Sequence, residues 1–516
     1  MFAKKTVIRM VVLLLVSVMC FAAVGCNNGT PAVTTDPATQ NPASDGTTVA
    51  DTTEADTTEA DTTPAIDINT LPLKERFDVK DYEGTSIFFI TGGDNDWWVN
   101  YDIIGPDNSG EILSEAIFNR NAEIEGAYNV VIKHEQRKHH EAFNQIKADA
   151  AAGDTNFDSF FCNGTQMRKL VNASLTANLN EIEAFNFDDP WWNDTVNETL
   201  NWGGKRRLVA MGDMNIMSWK TTACIMYNYT LGNKEGVENC FELVRSGKWT
   251  MDKWNQIMLN FSRDLDNNGT MDYQTDRYGL VTGNQTLEYS MNGMGETFVS
   301  VDAEGYPAVF SLNERMLNAL EKVTKLYSKE SCLNVHDASY SGGVSLNGQS
   351  AKLFSEGRFL FFAETIGGSF QLWNMQDDYG FLPFPKYDET QESYNSSIQS
   401  AQMSLVMIPR HATVRRDATA DVINAMGYLN MRDVKDVFYD SVFGTRSVRD
   451  EDSMEMLEII LQDRTFDLGV AVDFGSIVTE MRKAVIAGNG NYASTYESYR
   501  EAAETAFTKW VDNAKK

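Results

Sequence analysis

Apolar positions along this chain come in short blocks whose spacing alternates between that of strands and that of helices. Ser86-Ile87-Phe88-Phe89-Ile90-Thr91 is a β-rich apolar run stopped by Gly92-Gly93, which predicts a buried strand. After a polar loop, Ile112, Leu113, Ala116, Ile117 and Ile124 recur close to helical spacing on one face. Val130-Val131-Ile132 predicts a second strand, residues 141–152 a second helix, and Phe157-Asp158-Ser159-Phe160-Phe161 a third strand. Strands alternating with helices of this length imply βαβ units and a parallel sheet. Ligands of open α/β sheets bind beyond the carboxyl ends of the strands. That rule points to residues 92–100, with Trp97 and Trp98, and to residues 162–166.

A second region starts near Lys205-Arg206-Arg207-Leu208-Val209-Ala210-Met211, read as a short strand leaving the first sheet. Residues 212–219 read as a crossing segment, and Cys224-Ile225-Met226-Tyr227-Asn228 as another strand. Residues 251–261 form a helical pattern behind Thr250, whose hydroxyl can accept a free backbone N–H. Further on, a helix end runs into an apolar strand at 354–362. Residues 364–377 suggest a helix holding Trp373, and 379–386 are extended. From Ala418 the pattern is mainly helical.

Two stretches depart from this alternation. Lys4, Lys5 and Arg9 precede an apolar run over 10–24 broken only by Ser17, and small residues close it before Cys26. This is the pattern of a secretory leader, too short and wrongly flanked for a resident span. Gly25-Cys26 resembles a bacterial lipobox, with Ala23 where Leu is usual. The resemblance implies removal of residues 1–25, acylation of Cys26 and a place on the outer side of the cell membrane. The alternative is an ordinary leader cut nearby. Residues 26–74 follow as an acidic Thr/Asp/Ala-rich tether in which Ala-Asp-Thr-Thr-Glu at 50–54 repeats at 55–59. It lacks the apolar area needed to offset the entropy of ordering.

Composition narrows the function classes. The chain has 516 residues and a formal charge of −29, which becomes −32 once Lys4, Lys5 and Arg9 leave with the signal. Such acidity repels phosphate backbones, so no nucleic-acid partner is expected, and it gives no polybasic face for lipid headgroups. Cys162, Cys224, Cys240 and Cys332 are too few for a disulfide scaffold and lack zinc-ligand spacing, so all four read as buried or unpaired.

The segments "FSEGRFLFF", "YGFLPFPKYDETQESY" and "KRRLVAMGDMN…IMYN", in this order behind the lipobox and tether, resemble the extracellular solute-binding proteins of bacterial ABC importers. The nearest group is the large carbohydrate-type, family 1-like one. The resemblance covers the chain from Asp81 onward. It implies an α/β fold of the two-lobe, periplasmic-binding-protein-like kind (type II), with lobes joined by hinge crossings. Lobe one would comprise 75–217 and 364–435, and lobe two 218–363 and 436–516. Asn215 to Trp219 and Phe362 to Thr365 would be hinge strands. It further implies a monomer that binds a small molecule of the oligosaccharide class and passes it to a permease without chemistry of its own. A surface carbohydrate-active enzyme or adhesin, and a receptor serving a sensor kinase, are the other readings.

Sugar rings pack their CH faces on flat aromatic surfaces while carboxylates and amides bond the hydroxyls. Trp97, Trp98 and Trp219, with Asp94, Asp96, Asp213, Asn215 and Glu364, are therefore the candidate ligand-binding residues. Trp191, Trp192, Trp202 and Trp373 are further aromatics for which packing is the simpler account. Asp264, Asp266, Asn268, Thr270 (through its carbonyl) and Asp272 have the spacing of a calcium loop, with Gly269 at the tight turn. Thr275 stands where a bidentate Glu is expected, and Asp276 is its substitute. An Asx-rich turn without metal is the competing reading. Adjacent carboxylates at 188–189 and 377–378 lack the facing geometry that glycoside hydrolysis needs. His134, His139 and His140 lack a metal-site pattern and suggest a solvated approach to a helix. No phosphate loop or nucleophile elbow is found.

Overall fold

Two sheets built from interleaved stretches of chain organise the computed structural model, which describes residues 67–93, 100–105, 112–337, 339, 346–443 and 451–516. The leader, Cys26 and the tether up to residue 66 lie outside the described residues. In chain order the strands are β1 (Thr85–Gly92), β2 (Val130–Arg137), β3 (Ser159–Cys162), β4 (Asn201–Trp202), β5 (Arg206–Arg207), β6 (Ala223–Tyr227), β7 (Tyr278–Thr282) and β8 (Val299–Val301). They continue as β9 (Pro307–Val309), β10 (Cys332–Asn334), β11 (Phe359–Thr365), β12 (Gly380–Leu382), β13 (Ser396–Ser397), β14 (Leu405–Met407) and β15 (Arg464–Thr465).

The first sheet runs β14-β3-β1-β2, with β1, β2 and β3 parallel and β14 antiparallel to β3. The helices predicted between its strands are present at Ile112–Tyr128 and His139–Ala152. The second sheet runs β10-β7-β11-β6-β12. Here β7, β10 and β11 are parallel, and β6 is antiparallel to both β11 and β12. Each sheet and its helices make one lobe. In the stretch assigned from sequence to a strand leaving the first sheet, Arg206–Arg207 is β5, which pairs with β4, and Ala210 bridges Val406 of β14 in the first sheet.

Three boundaries differ from the sequence reading. Residues 67–74 are ordered: Asp67 caps the turn Ile68–Thr70, and Leu73 is buried among Phe89, Tyr128 and Leu429. Tyr428 Oη and Arg432 Nη1 donate to the Leu71 carbonyl at 2.6 and 2.9 Å, so that single leucine is enough to end the tether early. Residues 364 to about 398 belong with the second lobe, because β12 hydrogen-bonds to β6. Phe362 to Thr365 is the end of a central strand, not a hinge. Finally, the tail does not sit on the second lobe alone. Arg168 Nη1 in the first lobe donates to the Val472 carbonyl at 2.7 Å, and Trp510 meets Trp202 at a ring distance of 4.6 Å. On the other side Tyr496 Oη donates to the Phe310 carbonyl at 2.7 Å.

Local chemistry fixes several element ends. Thr250 accepts the Lys253 N–H and starts the helix Met251–Phe261, as its hydroxyl predicts. Asn163 caps the helix Gly164–Asn172 through the Gln166 N–H. Trp373 lies in a turn after the short 3-10 helix Ile366–Gln371 and is 72% exposed, so the longer helix expected there does not form. One apolar core fills the outer face of the first lobe, and a second runs from Ile90 and Phe160 through Trp219 to Leu280 and Phe361. Cys162, Cys224, Cys240 and Cys332 are all buried. Among the described residues, no helix is long and apolar enough to cross a membrane.

Candidate functional site

The chain passes between the lobes at the ends of the sheets where ligands of α/β folds bind. β6 begins at Ala223 opposite Thr365, at the carboxyl end of β11. β14 begins at Leu405 opposite Cys162, at the carboxyl end of β3. Both crossings therefore enter their sheets from the same functional side. They also hold each other: Gln399 N–H donates to the Thr221 carbonyl at 3.0 Å, and Thr222 bridges Ile398. A third crossing joins them where β15 pairs with β13, Ser396 opposite Arg464. The hinge is thus a ribbon of three chain segments.

The first crossing is anchored by a buried polar network. Asp102, fully buried, accepts the Met217 N–H at 2.8 Å and Asn100 Nδ2 at 3.1 Å. Burial pushes its carboxyl up to about 6, against hydrogen bonds from Ser404, Met217 and Asn100 and the charge of Arg120. Arg120 in turn donates to the Asp102 carbonyl and to Asn430 Oδ1, and Asn430 Nδ2 reaches the Asp213 carbonyl.

Asp213, Asn215 and Trp219 come together here. Trp219 Nε1 donates to Asp213 Oδ1 at 3.1 Å, and the indole packs on Phe438 with ring centres 5.4 Å apart. Burial raises the Asp213 carboxyl above its ordinary range, with Lys435 and Arg464 opposing. Asn215 is fully buried; its Nδ2 donates to Ser404 Oγ and its Oδ1 accepts the Gly212 N–H. Asn215 therefore holds the crossing's own backbone, a positioning part in place of the ligand contact expected from sequence. Trp219 is also wholly buried. Trp191, Trp192 and Trp202 are buried, in keeping with the packing account given for them from sequence.

Glu364 stands apart from that trio, at the end of β11. It is half-buried, and its Oε1 accepts the Thr365 N–H at 3.0 Å. Burial raises its carboxyl, with the bonds from Thr365 opposing. From it a run of contacts crosses to the first lobe. A Cβ added at Gly368 would press on Glu364 Cγ at 2.8 Å, and one at Gly367 on Lys220 Cγ at 3.0 Å. Lys220 Nζ lies 5.6 Å from the Phe370 ring and 4.6 Å from the Tyr101 ring, one from each lobe. Lys220, Tyr101 and Phe370 were missed from sequence, since none carries a motif and only the fold gathers them. Asp94, Asp96, Trp97 and Trp98 lie outside the described residues.

Two other expectations meet the geometry here. His134 Nε2 and Thr91 Oγ1 are 2.8 Å apart, and His139 packs against Gly92, where an added Cβ would fall 1.9 Å from its ring. His134 and His139 thus support the end of β1, whereas His140 is exposed as a solvated approach to the helix. In the acidic loop, Asp264, Asp266 and Asp276 each bring a carboxylate oxygen within 4.8 Å of the others. Asp264 Oδ2 accepts the Gly269 N–H at 2.7 Å, and Asp276 accepts the Leu265 and Asp272 N–H groups. The Asn268 and Asp272 side chains accept the N–H groups of Thr270 and Gln274. Three carboxylates thus converge here, and all three, like Asn268 and Asp272, also accept hydrogen bonds within the turn.

No family model matches the chain, and no curated relative matches it. Solved structures do. The sugar-binding protein MalE from Xanthomonas citri is similar at a TM-score of 0.56 and 13% identity, over 83% of this chain and 99% of that one. An ABC substrate-binding protein from Listeria monocytogenes, in complex with cycloalternan, gives 0.51 at 13% identity over 82% and 99%. The cyclic alpha-maltosyl-1,6-maltose binding protein from Arthrobacter globiformis gives 0.51 at 13% identity, again over 82% and 99%. These likenesses show the fold: two α/β lobes of the periplasmic-binding-protein kind.

Proposed function

We propose that this protein is an extracellular solute receptor that captures a carbohydrate between its lobes and delivers it to the permease of an ABC importer. The observation that carries the reading is the hinge itself. Both sheets turn their carboxyl ends to the same crossings, and polar and aromatic side chains from both lobes gather there. A ligand touching both lobes favours the closed arrangement by its extra contacts. The fold's solved examples named as binding sugars support carbohydrate as the ligand class. Acylation at Cys26 would hold this monomeric body at the outer face of the membrane, with the acidic tether as spacer.

Screening a panel of oligosaccharides, peptides and vitamins by thermal shift, followed by analysis of the recovered ligand, tests the reading. The expected result is stabilisation by a saccharide that is returned intact. Cleavage of the saccharide, or stabilisation by amino acids or peptides alone, would overturn it. For the acidic loop we propose a structural calcium ion held by Asp264, Asp266 and Asp276, supported by the convergence of their carboxylates.

A further inference from the structure

The ribbon at the hinge carries polar groups that nothing among the described residues satisfies. Arg464 is 4% exposed, and its Nε and Nη1 have no hydrogen-bond partner. Its Nη2 comes only within 3.8 Å of Asp213 Oδ1, beyond hydrogen-bond range. Ser396 is completely buried, and its Oγ also has no partner. The parallel register sets Ser396 directly beside Arg464, so both side chains leave the same face of the ribbon. Asn292 Nδ2 donates instead to Ser397 Oγ, on the opposite face. Buried donors left unpaired cost more than the average hydrogen bond returns, so a fold keeps them together only where something else completes them.

We propose that Arg464, Ser396 and Asp213 form a subsite for adjacent hydroxyls of a neutral sugar residue; this rests on the carbohydrate reading above and names the chemistry of its inner end. A hydroxyl both donates and accepts. Neighbouring hydroxyls can therefore accept from the guanidinium and donate to the Asp213 carboxylate, whose Oδ1 already takes the Trp219 N–H. Among the described residues, the other charged or titratable groups acting on this pair are Lys435 and Tyr439. An acidic sugar would set its carboxylate against Asp213, and an amino sugar would set its charge against Arg464. The neutral ring avoids both. Each of the three residues comes from a different crossing, so filling this subsite ties ligand occupancy to the shape of the hinge.

Calorimetric titration of the protein with maltotetraose, xylotetraose, mannotetraose and tetragalacturonate tests the proposal in wild type, Ser396→Ala and Arg464→Met. One neutral tetrasaccharide is expected to bind. Ser396→Ala is expected to weaken it about fivefold while leaving the ligand-free melting temperature unchanged or raised, because the hydroxyl it removes is unpaired. Arg464→Met is expected to weaken it by about tenfold or more. Equal affinity in wild type and Ser396→Ala would overturn the subsite and leave the sugar reading standing. Binding of tetragalacturonate alone would overturn the neutral class and also leave that reading standing. Failure of every saccharide would overturn both.

Discussion

Gln399 gives its backbone N–H to the Thr221 carbonyl at 3.0 Å, joining the chain that enters the second lobe to the chain that leaves it. Proline at 399 removes that donor and leaves a buried carbonyl unpaired. Gln399→Pro is expected to lower stability by about 1–3 kcal/mol, whereas Gln399→Ala, which keeps the N–H, stays within about 1 kcal/mol. Urea denaturation of the two variants checks this, and equal stabilities would show that the bond does not join the crossings.

Asp102 makes stability depend on pH in an unusual direction for a carboxyl group. Its folded value of about 6 lies above that of the unfolded chain. Between those values the unfolded chain has released the proton and the folded chain keeps it, so stability falls as pH rises through the window and is flat above about 6. The loss is on the order of 2–3 kcal/mol for a shift of this size. Wild type should therefore lose stability relative to Asp102→Asn between pH 4 and pH 6. A difference that stays constant over that range in chemical denaturation would refute the assignment.

The docking of the tail predicts a steric effect. A Cβ at Gly469 would fall 2.0 Å from the Phe298 carbonyl oxygen, and Asp467 Oδ2 already accepts the Phe298 N–H at 2.7 Å. Both contacts are backbone at the Phe298 end and have little room to yield. Gly469→Ala is expected to cost about 1–3 kcal/mol. Unchanged melting of this variant would mean that the tail does not pack on Phe298.

The calcium proposal predicts a chelator effect. EDTA should lower the melting temperature of the calcium-loaded protein, and Asp266→Ala should abolish the difference between the two conditions. Terbium luminescence gives an independent reading through the same three carboxylates. Identical melting with and without chelator, together with no terbium signal, would leave the loop as a turn alone.

The strands and helices of the first lobe were legible in the chain because their burial follows the apolar period, as β1 and the helix Ile112–Tyr128 show. Lobe membership was not. β12 looks like any short extended run, and its partner β6 lies far upstream, where no local pattern reaches. The candidate site divides in the same way. Asp213 and Trp219 stood out as a carboxylate and an aromatic in one crossing, but only the structure shows them spent on each other. Arg464 and Ser396 carried no signal, since a lone Arg and a lone Ser become a pair only through the register of β13 and β15.

The order of the strands also sets the order in which the lobes can be finished. All five strands of the second sheet lie between Ala223 and Leu382, so that lobe's sheet is complete once the chain has passed Leu382. The first sheet starts earlier but waits for β14 at Leu405–Met407 to cover the edge of β3. A chain emerging from its amino terminus therefore carries an open strand edge on its older lobe while the younger one closes. Such edges template pairing with other chains, and long loop closures are slow. The edge of β3 thus stays open from the time β3 is made until residue 405 arrives. A chain stopped near residue 400 would be more prone to clump than one stopped after β14 is in place.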